Sequence, residues 1–241
     1  MSKNTAIRKI LTTAKINLKN VKPAFIITGI LLGLMLTDTV VQSILTLRGV
    51  LDARDNNNVS AINVLFLLPA LCGKLIPVRN FRKYANLGGK RTDFLKGCLC
   101  GYALLAAAVS VICAVYHVTA ERFLVNLGTF SEVINLMDLF GWTRGGMAVA
   151  VLRQTAFLLL TAVFFHTLSS LHEWWVGWAC DAAIIAVISV FTPIAPLRAA
   201  EYAFFRAILF QPDALPHILT CLALCAALGA LNLPIISRKK I

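Results

Sequence analysis

Ionisable side chains within long apolar runs are the residues of this chain best suited to chemistry. Asp38 lies in the first such run, Arg153 in the fourth and Asp181 early in the fifth, while His166 and His172 flank the end of the fourth. An ionisable group near the centre of a bilayer is costly and faces a bundle interior or a cavity. Two kinds of chemistry follow. Asp38, Gln42, Asn63, Arg153 and Gln154 could line a translocation path, or they could specify packing by hydrogen bonding and ion pairing between helices. The second reading is favoured for Asp38 and Arg153, which both fall in the same half of their runs and are expected to pair. Too few carboxylates are present for a proton relay.

Nucleotide and catalytic patterns fail. Tyr84-Ala-Asn-Leu-Gly-Gly-Lys-Arg91 resembles a phosphate loop only at Gly89-Lys90: Tyr84 occupies the first glycine position and Arg91 the hydroxyl position that would hold magnesium. There is no H-E-x-x-H and no G-x-S-x-G, and Glu173 has no second glutamate beside it. The sequence therefore offers no active site, and no metal or cofactor is expected on this chain. The seven cysteines (Cys72, Cys98, Cys100, Cys113, Cys180, Cys221 and Cys225) fall in or next to apolar runs without zinc-ribbon spacing, and are read as small hydrophobes rather than a disulfide framework.

These residues are carried by a chain of 241 residues that is 59% hydrophobic and 14% charged. Soluble domains run near 45–50% apolar and about 25% charged, so an ordinary water-soluble globule is excluded, as is disorder. Six stretches reach the roughly 20 helical residues needed to cross a hydrocarbon core. They lie near residues 23–47, 59–78, 97–118, 145–168, 174–193 and 217–236. None shows the apolar–polar alternation of a barrel strand, so an all-α membrane architecture is expected, and the first run reads as a retained span rather than a cleaved signal.

The net charge is +12, and its placement points to a membrane rather than to nucleic acid. Lys3, Arg8, Lys9, Lys15, Lys19 and Lys22 precede the first span. Lys74, Arg79, Arg82, Lys83, Lys90, Arg91 and Lys96 cluster at the second-to-third connection, and Arg238, Lys239 and Lys240 follow the sixth span. The other connections mix their cations with Asp52, Asp55, Glu121, Glu132, Asp138, Glu201 and Asp213. The positive-inside rule then places both termini in the cytoplasm of a multi-pass cell-membrane protein.

Residues 1–22 form a basic amphipathic segment, with Ile7, Ile10, Leu11, Ala14, Leu18 and Val21 at helical spacing. It is expected to lie flat in the headgroup layer as a lipid anchor or as a lever for a partner, with a break at Pro23. Residues 23–241 form the six-helix transmembrane domain.

The second-to-third connection reads as a short helix (80–86), a stop at Gly88-Gly89 and a second helix capped by Thr92 or Asp93. Phe81, Tyr84, Phe94 and Leu95 stand among its charges, and aromatics beside arginines are the material of an interface. Residues 119–144 carry apolar positions suited to a short interfacial helix. Residues 193–216, broken by Pro193, Pro196, Pro212 and Pro216, suggest a re-entrant or interfacial helix.

This layout resembles the ABC-2 type exporter permeases. The segment Asn86-Leu87-Gly88-Gly89-Lys90-Arg91-Thr92-Asp93-Phe94 is similar to the "Asn/Ser-Leu-Gly-x-Ser/Lys-Arg-x-x-Phe" sequence common in small bacterial members. The resemblance implies a half-transporter without its own ATPase. A second permease copy, identical or paralogous, would pair with it, and the dimer would dock two ATP-binding subunits that hold the ATP and magnesium. Docking would use Arg79, Phe81, Arg82, Lys83, Tyr84, Asn86, Leu87, Gly88, Gly89, Lys90, Arg91, Asp93 and Phe94, with the turn at His172 and Glu173 as a secondary contact. Amphipathic peptides are the implied substrate class. The competing expectation is an ion-coupled carrier or channel that works alone, or, less favoured, a membrane-embedded enzyme. A carrier would call for clustered carboxylates at mid-membrane and inverted repeats, and neither is seen.

Overall fold

The computed structural model describes residues 3–54 and 56–238; Asp55, Lys239 and Lys240 of the charge pattern lie outside the described residues. In chain order, α1 (Lys3–Asn20) and α2 (Lys22–Leu47) are followed by β1 (Asn57–Val59) and a 3-10 turn that leads into α3 (Leu67–Arg79). Next come α4 (Phe81–Asn86), α5 (Arg91–Tyr116), a π turn at His117–Glu121, α6 (Arg122–Asn126), β2 (Glu132–Ile134) and α7 (Leu136–Leu139). The last four helices are α8 (Met147–Leu171), α9 (Trp175–Phe191), α10 (Ala195–Ile208) and α11 (Ala214–Arg238).

Among the described residues, five helical runs are long and apolar enough to cross a membrane: Lys22–Leu47, Ala61–Arg79, Arg91–Asn126, Met147–Leu171 and Ala214–Arg238. The pair α9–α10, bent by 117°, makes a sixth if counted as one broken span. The third run is longer than its apolar stretch suggests, because helix continues from Arg91 through the π turn to Asn126. The only strands among the described residues are β1 and β2, which pair in parallel with Asn57 opposite Glu132 and Val59 opposite Ile134.

α8 is the hub. Apolar residues are spread around its whole circumference, as suits a helix with neighbours on several sides, and it packs against α3, α5 and α11. Close approach needs small residues where dispersion rather than water drives helix contact. A Cβ on Gly73 of α3 would lie 2.3 Å from the Ala162 carbonyl oxygen of α8, so only glycine permits this crossing. Hydroxyls in the spans bond back to their own helices, as Ser43 does to Thr39, Ser110 to Ala106 and Thr167 to Val163. By contrast α2 and α9 present nearly all their apolar side chains outward.

The N-terminal helix does more than rest on lipid. Thr13, Ala14 and Asn17 of α1 are buried, and the helix lies along the start of α5, where a Cβ on Gly97 would meet Thr13 at 2.6 Å. Ile7 and Leu11 of the expected stripe remain exposed, so the face set against protein is rotated from the most apolar one. All seven cysteines are free thiols.

Gly73→Ala should force α3 away from the α8 backbone and cost about 1–3 kcal/mol. Gly29→Ala, where a Cβ meets nothing within 4 Å, should be neutral or slightly stabilising. Thermal unfolding of the two variants in the same detergent checks the contrast.

Candidate functional site

The connection between α3 and α5 forms a braced elbow. Asn80 ends α3 and precedes α4, and its Nδ2 donates to the Asn17 carbonyl at 3.2 Å and to Asn17 Oδ1 at 3.1 Å. Asn17 Nδ2 in turn donates to Cys98 Sγ at 3.3 Å. One buried polar chain thus ties α1, the elbow and α5 together.

Phe81 and Phe94 meet edge to face with ring centroids 5.5 Å apart, and Tyr84 tilts against Phe94 at 5.4 Å. Phe81 is 1% exposed and Phe94 0%. The expectation that these two aromatics face a partner is therefore corrected: they are the internal pins of the elbow, since burying an aromatic ring is among the largest apolar gains available to a short loop.

Gly88 ends α4 in the left-handed region at φ +75°, and the Gly88 and Gly89 amides donate to the Ala85 and Tyr84 carbonyls. This is the glycine stop of a Schellman-type cap. A Cβ on Gly89 would lie 2.2 Å from the Tyr84 ring, so the ring folds over a position that must stay bare. Lys90 precedes the next helix and Asp93 sits in its first turn, where a carboxylate favours the helix dipole; neither Thr92 nor Asp93 is the cap.

Arg91 also turns inward. Its Nη1 donates to the Ile236 carbonyl at 3.0 Å and to the Ser237 carbonyl, and its guanidinium lies 6.0 Å from the Phe81 ring centroid. It caps the last turn of α11 rather than reaching outward, which corrects its expected docking role. The outward elbow surface is left to Arg79, Arg82, Lys83, Asn86, Leu87, Gly88 and Lys90, all exposed. Leu87 stands at the tip with 87% of its surface exposed.

The turn at His172–Glu173 forms a latch. His172 Nδ1 lies 2.7 Å from the Leu168 carbonyl oxygen and Nε2 lies 2.7 Å from Asp181 Oδ2. Both ring nitrogens face acceptors, which suits the doubly protonated ring. The Leu168 carbonyl, followed by the Asp181 carboxylate, raises the His172 pKa against the opposing effects of burial and of Lys74. Glu173 is exposed.

The five path candidates do not share a surface. Asp38 accepts from Gln42 Nε2 at 2.8 Å on the outward face of α2. Asn63 bonds the β2–α7 backbone, donating to the Ile134 carbonyl at 3.0 Å and accepting from the Leu136 amide at 3.1 Å. Arg153 is 1% exposed and Gln154 0%, and the Gln154 side chain faces the Cys113 thiol of α5.

The expected Asp38–Arg153 pair is absent. Instead Arg153 Nη1 donates to the Pro212 carbonyl at 3.3 Å and Nη2 to the Gln211 carbonyl. Trp142 Nε1 donates to the Leu209 carbonyl at 2.9 Å, and His217 Nε2 to the Ile208 carbonyl at 2.9 Å. Three buried side chains thus satisfy the carbonyls freed where α10 ends.

A cluster missed by sequence reasoning sits at the β1–β2 pairing. Glu121, 4% exposed, accepts from Ser60 Oγ, from Asn135 Nδ2 at 2.8 Å and from His117 Nδ1 at 2.6 Å. The only sequence signal was the four-residue spacing of His117 and Glu121. Among the described residues no group of His, Cys, Asp and Glu is arranged to hold a metal ion.

Comparison of the chain with models of known protein families, with curated proteins and with solved structures finds no match.

Two outcomes are expected. Arg153→Leu orphans the Gln211 and Pro212 carbonyls and should cost about 1–3 kcal/mol for each, read by thermal unfolding in detergent. His172 has a folded-state pKa above its ordinary value of about 6.5, so its latch contributes fully below that value and is lost as pH rises through the raised one. The stability difference between wild type and His172→Gln should therefore shrink as pH rises from about 6 to 9, measured by unfolding at each pH.

Proposed function

We propose that this chain is the membrane-spanning subunit of an exporter driven by a separate ATP-binding protein, which grips the elbow from the cytoplasmic side. The carrying observation is the elbow itself. An almost fully exposed leucine, Leu87, stands at a glycine-stopped tip among Arg82, Lys83 and Lys90, while the opposite side of the loop is pinned by Phe81 and Phe94. An apolar knob ringed by cations suits a partner with a shallow apolar cleft and an acidic rim, because complementary charge sets register and encounter rate. A free loop in water has no need for such bracing.

The bracing also supports a mechanical role. A push on α4 reaches α1 through Asn80 and Asn17, α5 through Phe94, and α11 through Arg91. An ATPase that closes on nucleotide and contacts this elbow differently in its two states would bias the tilt of these helices, which is what alternating access requires. The outward apolar faces of α2 and α9 leave room for a second permease copy beside lipid. Amphipathic peptides remain the substrate class suggested by the family resemblance, carried by a complex with ATP and magnesium on the partner.

Affinity purification of the full chain from its host in mild detergent tests this reading. A co-purifying ATP-binding subunit is expected with wild type and should be lost when Arg82→Glu, Lys83→Glu, Lys90→Glu and Leu87→Ala are combined, with the unfolding temperature unchanged. Equal co-purification by the variant would overturn the docking assignment.

A further inference from the structure

At the same end of the bundle as the His172 turn, a groove of about 370 Å³ lies between the α8–α9 turn and the last turns of α11. Leu171, Trp174, Val176, Pro234, Ile235 and Arg238 line it. Among the described residues its walls are otherwise aliphatic or aromatic, and the one charged residue lining it is Arg238, an exposed cation. None of the ion pairs between described residues involves Arg238.

We infer that this groove binds an anionic phospholipid, with an acyl chain along Leu171, Val176 and Ile235 and the phosphate at Arg238. The charge is complementary: Arg238 supplies a cation on the α11 side, and Glu173, exposed in the facing turn, places the phosphate there. Trp175 and Trp178 are 78% and 68% exposed. Together with Trp174 they form a cluster of the kind that settles at the headgroup level of a bilayer, which sets the groove at the depth where a phosphate and the first methylenes meet.

The helix end would ordinarily oppose an anion, since a C-terminus carries partial negative charge. Here Arg91 occupies the Ile236 and Ser237 carbonyls and offsets that field. Basic sites between membrane helices recognise anionic headgroups through this combination of a cation and an apolar slot. The inference rests on the membrane-spanning reading alone and stands whether or not an ATPase grips the elbow.

Native mass spectrometry of the full chain, exchanged into mixed phosphatidylglycerol and phosphatidylcholine nanodiscs and then released, reads the retained lipid. Wild type should retain phosphatidylglycerol in preference to phosphatidylcholine. Arg238→Gln should lower that retention about fivefold, as expected for one interfacial cation, while Arg8→Gln on α1 should leave it unchanged. As a measurement that does not depend on a variant folding, brominated phosphatidylglycerol should quench wild-type tryptophan fluorescence more strongly than brominated phosphatidylcholine. Equal retention and equal quenching by the two lipids would overturn the assignment. So would a lipid-free dimer, in which a second copy covers the groove.

Discussion

The helical chain breaks between α10 and α11, and the carbonyls freed there are satisfied by buried side chains from distant parts of the chain. Between α10 and α11 the Ile208, Leu209, Gln211 and Pro212 carbonyls accept from His217, Trp142 and Arg153. Each lone buried carbonyl would cost about 1–3 kcal/mol. The donors come from three separate parts of the chain: the turn before α8, α8 itself and α11. Satisfying the break therefore fixes how these parts meet. α8 carries Arg153 into this arrangement, and the close approach of Gly73 of α3 to Ala162 of α8 lets these two helices pack tightly.

The opposite requirement governs the elbow. There much of the loop is exposed, and apolar burial is combined with a few side-chain hydrogen bonds to hold it still. Phe81 and Phe94 pin the loop, Asn17 and Asn80 tie it to α1, and Arg91 ties it to the end of α11. The elbow is thereby joined to three helices, α1, α5 and α11, which is the arrangement the proposed coupling to a partner would use. The exposed Leu87 is the cost of that arrangement in the isolated chain, and a bound partner would remove it.

Long apolar runs made the helices legible in the sequence, because a span must bury its backbone bonds within itself. The glycine stop at Gly88 was legible for the same local reason. What the sequence did not reveal was direction. Phe81, Phe94 and Arg91 lie in a charged loop, so their composition reads as interface, yet all three turn inward because partners distant in sequence (Cys98 with α1, and the end of α11) close around them. Arg153 was seen as costly in a membrane, but its partners are backbone carbonyls, which carry no signature in residue type. The Glu121 cluster depends on Ser60 and Asn135, ordinary loop residues until the β1–β2 pairing brings them together. The helix of residues 174–193 ends early, at Phe191, where the prolines turn it into α10.

The claim that a separate ATPase grips the elbow is tested most directly by a photo-crosslinking amino acid placed at position 87 in intact cells. The account predicts an adduct whose peptides identify an ATP-binding subunit, formed at position 87 and not from a control position on the outward face of α2. Adducts to lipid alone, or to nothing, would contradict it.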